Sequence, residues 1–166
     1  IERLTKPLEW ARETLSCPIS LDSRHAETIE WAAGHGYIDI INDVAESEVV
    51  SDDREGRIYA AARDTGIGLI VMAYNDHSSP ELPFGECMKK IIDQLSSRIE
   101  FAMKVGVKPS QIIVDPGIGF GKGLTNDLRL IADAPAALKR LGFPVLIAHS
   151  RKRCIAKAAG ADPDLD

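Results

Sequence analysis

The stretch IIVDPGIGFGKG, Ile112 to Gly123, joins an apolar run to one carboxylate and then sets four glycines in seven residues around a single lysine. It fails both common phosphate motifs. A P-loop requires a glycine five residues before Gly-Lys and a Ser or Thr after it; Pro116 and Gly123 stand there instead. The dinucleotide fingerprint G-x-G-x-x-G fits Gly117 and Gly119, but Lys122 occupies the third glycine's place. What remains is a buried-strand pattern ending in Asp115, followed by a sharply turning loop of small residues. A carboxylate in that position can accept two parallel hydrogen bonds from an amino-amidine edge, as on a pterin or guanine ring. The glycines let a flat ring approach the backbone, and Phe120 is placed either at the ring's margin or in the core.

Working outward, the same design recurs. Short branched apolar runs, CPISLD, YIDIIND, IGLIVMA, QIIVDPG and FPVLIAH, alternate with amphipathic stretches of helical period. Helices are expected over PLEWARETLS, AETIEWAAGHG, DDREGRIYAAARDTG, FGECMKKIIDQLSSRIEFAMKVG and NDLRLIADAPAALKRLG. The last four end near a glycine, which suits a C-cap, and Asp52, Asp53 and Asn126 suit N-caps. Strand alternating with helix implies a parallel sheet covered by helices, so an α/β fold is expected. Each apolar run ends in polar residues: Asp22 and Arg24, Asn42 and Asp43, Asn75 and Asp76, Asp115, then Ser150, Arg151 and Lys152. In parallel α/β folds these strand ends share one face, where ligands bind. The irregular YNDHSSPELP stretch reads as a mobile loop beside that face.

Composition narrows the function. A chain of 166 residues with 45% hydrophobic and 27% charged residues is ordinary for one globular domain. The net charge of -5 leaves no basic face for a nucleic acid, and no apolar run approaches the roughly 20 residues of a membrane span. Cys17, Cys87 and Cys154 match neither a disulfide framework nor a zinc spacing, and His25, His35, His77 and His149 have no metal-ligand spacing, His149 alone being kept as a pocket candidate for its place beside the Ser-Arg-Lys triplet. A reducing cytoplasm is the expected setting. The chain opens on Ile1, and a longer parent protein is expected.

DPGIGFGK, followed downstream by PVLIAHSRK and preceded by ISLDSR and IDIINDV in order, resembles the dihydropteroate synthase family over nearly the whole chain. The resemblance implies a (β/α)8 TIM barrel, of which about five consecutive βα units, the family's third to seventh, fall within residues 1–166, so that this single pterin-binding domain is expected to be incomplete. It implies a transferase of folate biosynthesis that joins a 6-hydroxymethyl-dihydropterin pyrophosphate to p-aminobenzoate with release of pyrophosphate, magnesium entering with the pyrophosphate. Carried to matching positions, Asp115 binds the pterin amino group and adjacent ring nitrogen, Asn42 another part of that edge, and Asp22 completes the polar wall. Lys152 contacts the pterin where charge changes, Met72 lines the wall, and Ser150, Arg151, Lys152 and Arg153 border the p-aminobenzoate and anion region.

Bland readings stand beside these. Asp22 equally suits a cap of the next helix, Asn42 a turn, Asp43 a cap or loop carboxylate, and Lys152 taken alone a solvated lysine. The family usually places a histidine after the methionine of its fifth strand, where this chain has Ala73 in VMAYND. That wording is closer to pterin-binding methyltransferase domains, which use methyl-tetrahydrofolate and a corrinoid partner; a non-catalytic pterin-binding remnant is the third reading. An arc of about five strands leaves apolar sheet edges, for which three outcomes stand open: a longer native chain, association through those edges, a homodimer among the forms it could take, or an open and weakly stable sheet.

Overall fold

The computed structural model describes residues 1–51 and 53–161. Helix α1 (Glu2–Thr14) leads into β1 (Ser20–Ser23), α2 (Ala26–Gly34), β2 (Ile40–Asp43), α3 (Arg54–Thr65), β3 (Gly68–Met72) and α4 (Phe84–Val105). A 3-10 turn at Pro109–Gln111 introduces β4 (Ile112–Asp115). Helix α5 (Leu124–Leu138), a second 3-10 turn (Lys139–Leu141) and the short α6 (Arg153–Ala158) complete the order. The four strands form one parallel sheet in chain order, each joined to the next through a helix. This is the α/β arrangement of a partial barrel.

Alternation along the strands decides what each face carries. Leu21, Ile41, Leu69, Val71, Ile112 and Val114 are buried against the helices, meeting Ile29 of α2, Ile58 of α3 and Ile91 and Leu95 of α4. The helices meet them with residues spaced at three and four. On α4, Cys87, Met88, Ile91, Leu95, Ile99 and Ala102 form one buried stripe. The opposite sheet face carries Asp22, Asn42, Ile70, Met72, Ile113 and Asp115. The register sets Asp22 beside Asn42, Asn42 beside Ile70, Ile70 beside Ile113, and Met72 beside Asp115.

Several boundaries differ from the sequence expectation. FPVLIAH contributes an isolated parallel bridge, Val114 to Val145, in place of a fifth strand. Val114 donates to the Pro144 carbonyl at 2.9 Å and Leu146 to the Val114 carbonyl at 2.8 Å, but the His149 amide then turns back onto the Ile147 carbonyl at 3.1 Å and ends the pairing. Helix α1 starts five residues before Pro7, which sits inside it and forgoes one backbone bond. The glycine caps hold at Gly66 and Gly106, whereas α2 is capped by His35 and α5 runs on through its 3-10 turn to Gly142. Asp53 occupies the N-cap of α3 without a side-chain cap bond, and Asp52 lies outside the described residues. Asn126 is not a cap. Helix α5 begins two residues earlier, and the Asn126 amide donates to the carbonyls of Leu82 and Lys122 at 2.9 and 3.0 Å.

Candidate active site

Asp115 closes β4 and is 3% exposed. Its Oδ1 accepts the Gly117 amide at 2.7 Å, which fixes the carboxylate plane, and Oδ2 makes no hydrogen bond among the described residues. Burial pushes its pKa up, opposed by the Gly117 bond and by the charges of Lys122 and Lys152; Asp22 adds a smaller upward push. Those couplings bring Asp22 and Lys152 into one electrostatic neighbourhood with Asp115, although β1 and Lys152 are far apart in sequence.

The glycine loop owes its path to contacts that leave no room for a side chain. Gly117 has φ +71, and a Cβ there would lie 1.9 Å from the Ala73 carbonyl oxygen. Gly121 has φ +67, and a Cβ would lie 2.3 Å from the Asn75 carbonyl oxygen. The loop is thus pressed against the segment leaving β3, and Asn75 Nδ2 reinforces the contact by donating to the Gly121 carbonyl at 3.0 Å.

Lys122 is the residue whose direction sequence reasoning missed. It is 3% exposed and points inward, its Nζ donating to the carbonyls of Ala73, Gly117 and Phe120 at 3.0, 2.9 and 3.1 Å. Three acceptors take the three protons of one ammonium, so this lysine staples the loop rather than presenting a charge to a phosphate. Burial pulls its pKa down to about 8. Asp127, in the first turn of α5, completes the loop by accepting the Gly119 amide at 3.0 Å.

The other expected residues divide. Asn42 is half-buried and Asp22 exposed, adjacent in register on the face that carries Asp115. Asp22 does not cap α2, whose N-cap is His25. Met72 is buried directly beside Asp115 in the ladder. Lys152 Nζ stands 4.6 Å from the centroid of the Phe120 ring, a cation–π pair, and Phe120 is half-buried. Ser150 and Arg151 form an exposed turn, Arg151 adopting φ +58, and Arg153 starts α6. A cavity of about 490 Å³ flanks the outer side of the glycine loop, lined in part by Gly119, Asp127, Arg151, Lys152, Arg153 and Lys157. Asp22, Asn42 and Asp115 do not line it, so Lys152 is the group that reaches both it and the carboxylate cluster.

Three of the polar strand-end residues belong elsewhere. Asp43 faces the helices, because alternation turns it away from Asn42; it is fully buried on Arg54, not a loop or cap carboxylate. Asn75 serves the glycine loop, and Asp76 is exposed and caps the Ser78 amide at 2.9 Å. His149 is exposed and contacts the Ile147 carbonyl at 3.0 Å through Nδ1, with no part in the cluster.

The sequence pattern of the family described as pterin binding enzyme matches residues 1–164. The dihydropteroate synthase of Neisseria meningitidis serogroup B is 36% identical over 163 residues, 92% of this chain and 56% of that protein. The dihydropteroate synthase of Synechocystis is 34% identical over 160 residues, 95% of this chain and 53% of that protein. Among solved structures, the dihydropteroate synthase of Xanthomonas albilineans with 4-aminobenzoic acid matches with a TM-score of 0.81 at 27% identity, covering 98% of this chain and 57% of that one. The same enzyme in complex with 7,8-dihydropteroate matches with a TM-score of 0.81 at 26% identity, covering 98% and 58%. The chain spans about half the length of the curated relatives it matches. With the parallel partial barrel and the Asp115 loop, these likenesses place it: the chain belongs to the pterin binding enzyme family.

Proposed function

We propose that this chain carries the pterin-binding part of a dihydropteroate synthase, which joins 6-hydroxymethyl-7,8-dihydropterin pyrophosphate to p-aminobenzoate in folate biosynthesis. The observation that carries the reading is Asp115: a buried carboxylate with one oxygen held by Gly117 and the other unbonded among the described residues, at the end of β4 in the sheet whose β2 and β1 present Asn42 and Asp22 on the same face. The relatives' names, dihydropteroate synthase, support the same reaction.

In this reading Asp115 accepts from the amino-amidine edge of the pterin and Asn42 bonds a second part of it. The arylamine nitrogen forms a bond to the pterin methylene carbon as the carbon–oxygen bond to pyrophosphate breaks, and the amine then loses a proton. Positive character on that carbon is stabilised by the buried carboxylate. The arylamine is already nucleophilic, so holding it in line matters more than a strong base. Lys152, with Phe120 beneath it, sits between the carboxylate cluster and the outer cavity, where Arg151 and Arg153, with Ser150 in the adjoining turn, border the p-aminobenzoate and pyrophosphate region. Magnesium enters this reading with the substrate pyrophosphate, whose charge it would neutralise. No described helix is long and apolar enough to cross a membrane. A cytoplasmic setting, no nucleic-acid partner and a homodimer complete the proposal.

The test is calorimetry with a dihydropterin, followed by product analysis with dihydropterin pyrophosphate and p-aminobenzoate. Dihydropteroate and pyrophosphate in equal amounts from the longer parent protein support the reading. Binding of methyl-tetrahydrofolate with no pyrophosphate release would replace it with the methyltransferase alternative, to which Ala73 lends its only support.

A further inference from the structure

Behind the sheet, on the side away from the candidate site, four charged side chains are packed together. Arg54 is 14% exposed at its side chain, Asp43 and Arg98 are fully buried, and Glu55 is 2% exposed. Arg54 pairs with Asp43, and its Nη1 donates to Glu55 Oε1 at 2.9 Å. Arg98, from the middle of α4, donates to the same Glu55 oxygen at 3.1 Å and also to the Ser47 carbonyl. Glu55 Oε2 accepts the Ser51 amide at 3.0 Å. Two cations and two anions form the buried group, and the more exposed Glu46 adds a third carboxylate at its rim, 3.6 Å from Arg54 Nε.

Its outward bonds converge on two loops. Arg54 Nε donates to the Arg24 carbonyl at 2.8 Å, and Arg54 Nη2 donates to the Val44 carbonyl at 2.8 Å. Arg24 lies two residues after Asp22, and Val44 two residues after Asn42, and Asp22 and Asn42 are partners in register. One planar guanidinium thus holds the two strand exits at a fixed separation, just past the pair of side chains that face the site. Asp43 and Glu55 fix the plane of that guanidinium, and Arg98 braces Glu55 while holding Ser47.

A purely stabilising role explains this poorly. Buried ion pairs seldom outperform apolar packing, because desolvation offsets their attraction. Among the described residues Asp43 Oδ2, Arg98 Nε and the Tyr59 hydroxyl, all buried here, make no hydrogen bond of good geometry, although the Tyr59 hydroxyl lies close enough to Arg98 and Asp43 to feel their charges.

We propose that Arg54 is a positioning residue, which, oriented by Asp43, Glu55 and Arg98, sets the spacing and direction of Asp22 and Asn42 for ligand binding. The inference rests on the reading of that face as a pterin site. The test compares the unmodified protein with Arg54→Lys, Arg54→Gln and Asp43→Asn. Each is titrated by calorimetry with 6-hydroxymethyl-7,8-dihydropterin, well below its melting temperature, and hydrogen exchange is followed over residues 22–24 and 42–48. A lysine keeps the charge but not the fork that spans two carbonyls. Arg54→Lys should therefore fail to rescue: affinity falls on the order of 10- to 100-fold, and exchange rises in those two segments before the rest of the chain. Asp43→Asn, which keeps an acceptor for Arg54, should show a smaller loss in the same segments. Folded Arg54 variants that bind as tightly as the unmodified protein, with lower melting temperatures alone, overturn the inference in favour of a structural role. An unmodified protein that binds no dihydropterin overturns the proposed function instead, and the exchange data then still show whether Arg54 holds the two loops.

Discussion

The Gly117 amide donates to Asp115 Oδ1 at 2.7 Å, two residues along the same chain, so the carboxylate is oriented before any ligand arrives. The first prediction follows from that bond. Asp115→Asn keeps an acceptor for Gly117 but presents an amide donor where a ligand donor must bond. Affinity for a dihydropterin should fall by about 1.5–3 kcal/mol, the usual cost of a lost charged hydrogen bond. Stability should move the other way. Below the ordinary carboxylate value of 3.8, Asp115 is protonated whether the chain is folded or not. As pH rises through that value and then through the raised value of the folded protein, the unfolded chain ionises first, and burial of the charge costs stability. The stability of Asp115→Asn relative to the unmodified protein should therefore grow with pH across that window and level off above it. Calorimetry and urea melts at several pH values check both parts; equal affinities would remove Asp115 from the site.

Lys122→Met tests the staple. The carbonyls of Ala73, Gly117 and Phe120 lose their shared donor, at a cost of about 2–3 kcal/mol for buried polar groups left without a partner. The pH dependence has a definite sign. With the folded value lowered from 10.5 to about 8, the unfolded chain binds more protons between those values, so the stability contributed by Lys122 rises as pH goes from about 8 to 10.5. Denaturant melts of both proteins across that range should show the gap widening with pH. A gap that narrows would mean that the three carbonyl bonds favour the ammonium by more than burial disfavours it.

Glycine substitutions separate crowding from backbone strain. Gly121→Ala and Gly117→Ala meet backbone oxygens at 2.3 and 1.9 Å, whereas Gly142→Ala, at φ +81, meets nothing within 4 Å. Gly142→Ala should cost about 1 kcal/mol, the strain of a left-handed alanine. The two loop variants should cost at least ~2 kcal/mol more and also lose dihydropterin binding, because the Ala73 and Asn75 segment has to move away. Thermal melts with paired titrations decide it; three equal losses would show that contact with the β3 exit does not set the loop's shape.

These residues also show what sequence could reveal. Asp115 and the glycine loop were legible because a lone acid ending a buried run, followed by glycines at alternate positions, has few structural uses. Asp22 and Asn42 were legible as strand-end polars, and their adjacency came only with the register. Asp43 was misread although strand alternation already forbids it from sharing a face with Asn42. Arg98 carried a signal too: it lies seven residues after Ile91 and four before Ala102, on the apolar stripe of α4. Nothing local told which way the Lys122 ammonium would turn, since a flexible side chain beside four glycines reaches inward or outward with equal ease. The fifth run was overcalled because its apolar character is that of a strand, while the turn at Ile147–His149, which stops the pairing, is a backbone feature that composition does not show.

The last prediction concerns the sheet's exposed margins. Strand β1 pairs on one side alone among the described residues, and beyond β4 the pairing thins to the single Val145 bridge. The site-facing side of the sheet carries Ile70 and Ile113 between the polar ends, with Ile113 only half-buried. Unpaired strand edges and uncovered apolar surface favour association with another chain. Little charge opposes it on β1, whose one ionisable side chain is Asp22 at the end of the run. The 166-residue chain should therefore self-associate as its concentration rises, and the amides of β1 should exchange faster than those of β3, which is paired on both sides. Charged replacement on the edge, Ser20→Lys, should reduce the association without lowering the melting temperature by more than a few degrees, since Ser20 is exposed. Light scattering over a concentration series, with hydrogen exchange on the same samples, provides the measurement. A monomer at every concentration, with β1 amides protected as strongly as those of β3, would mean that the edge is covered by a pairing absent from this sheet.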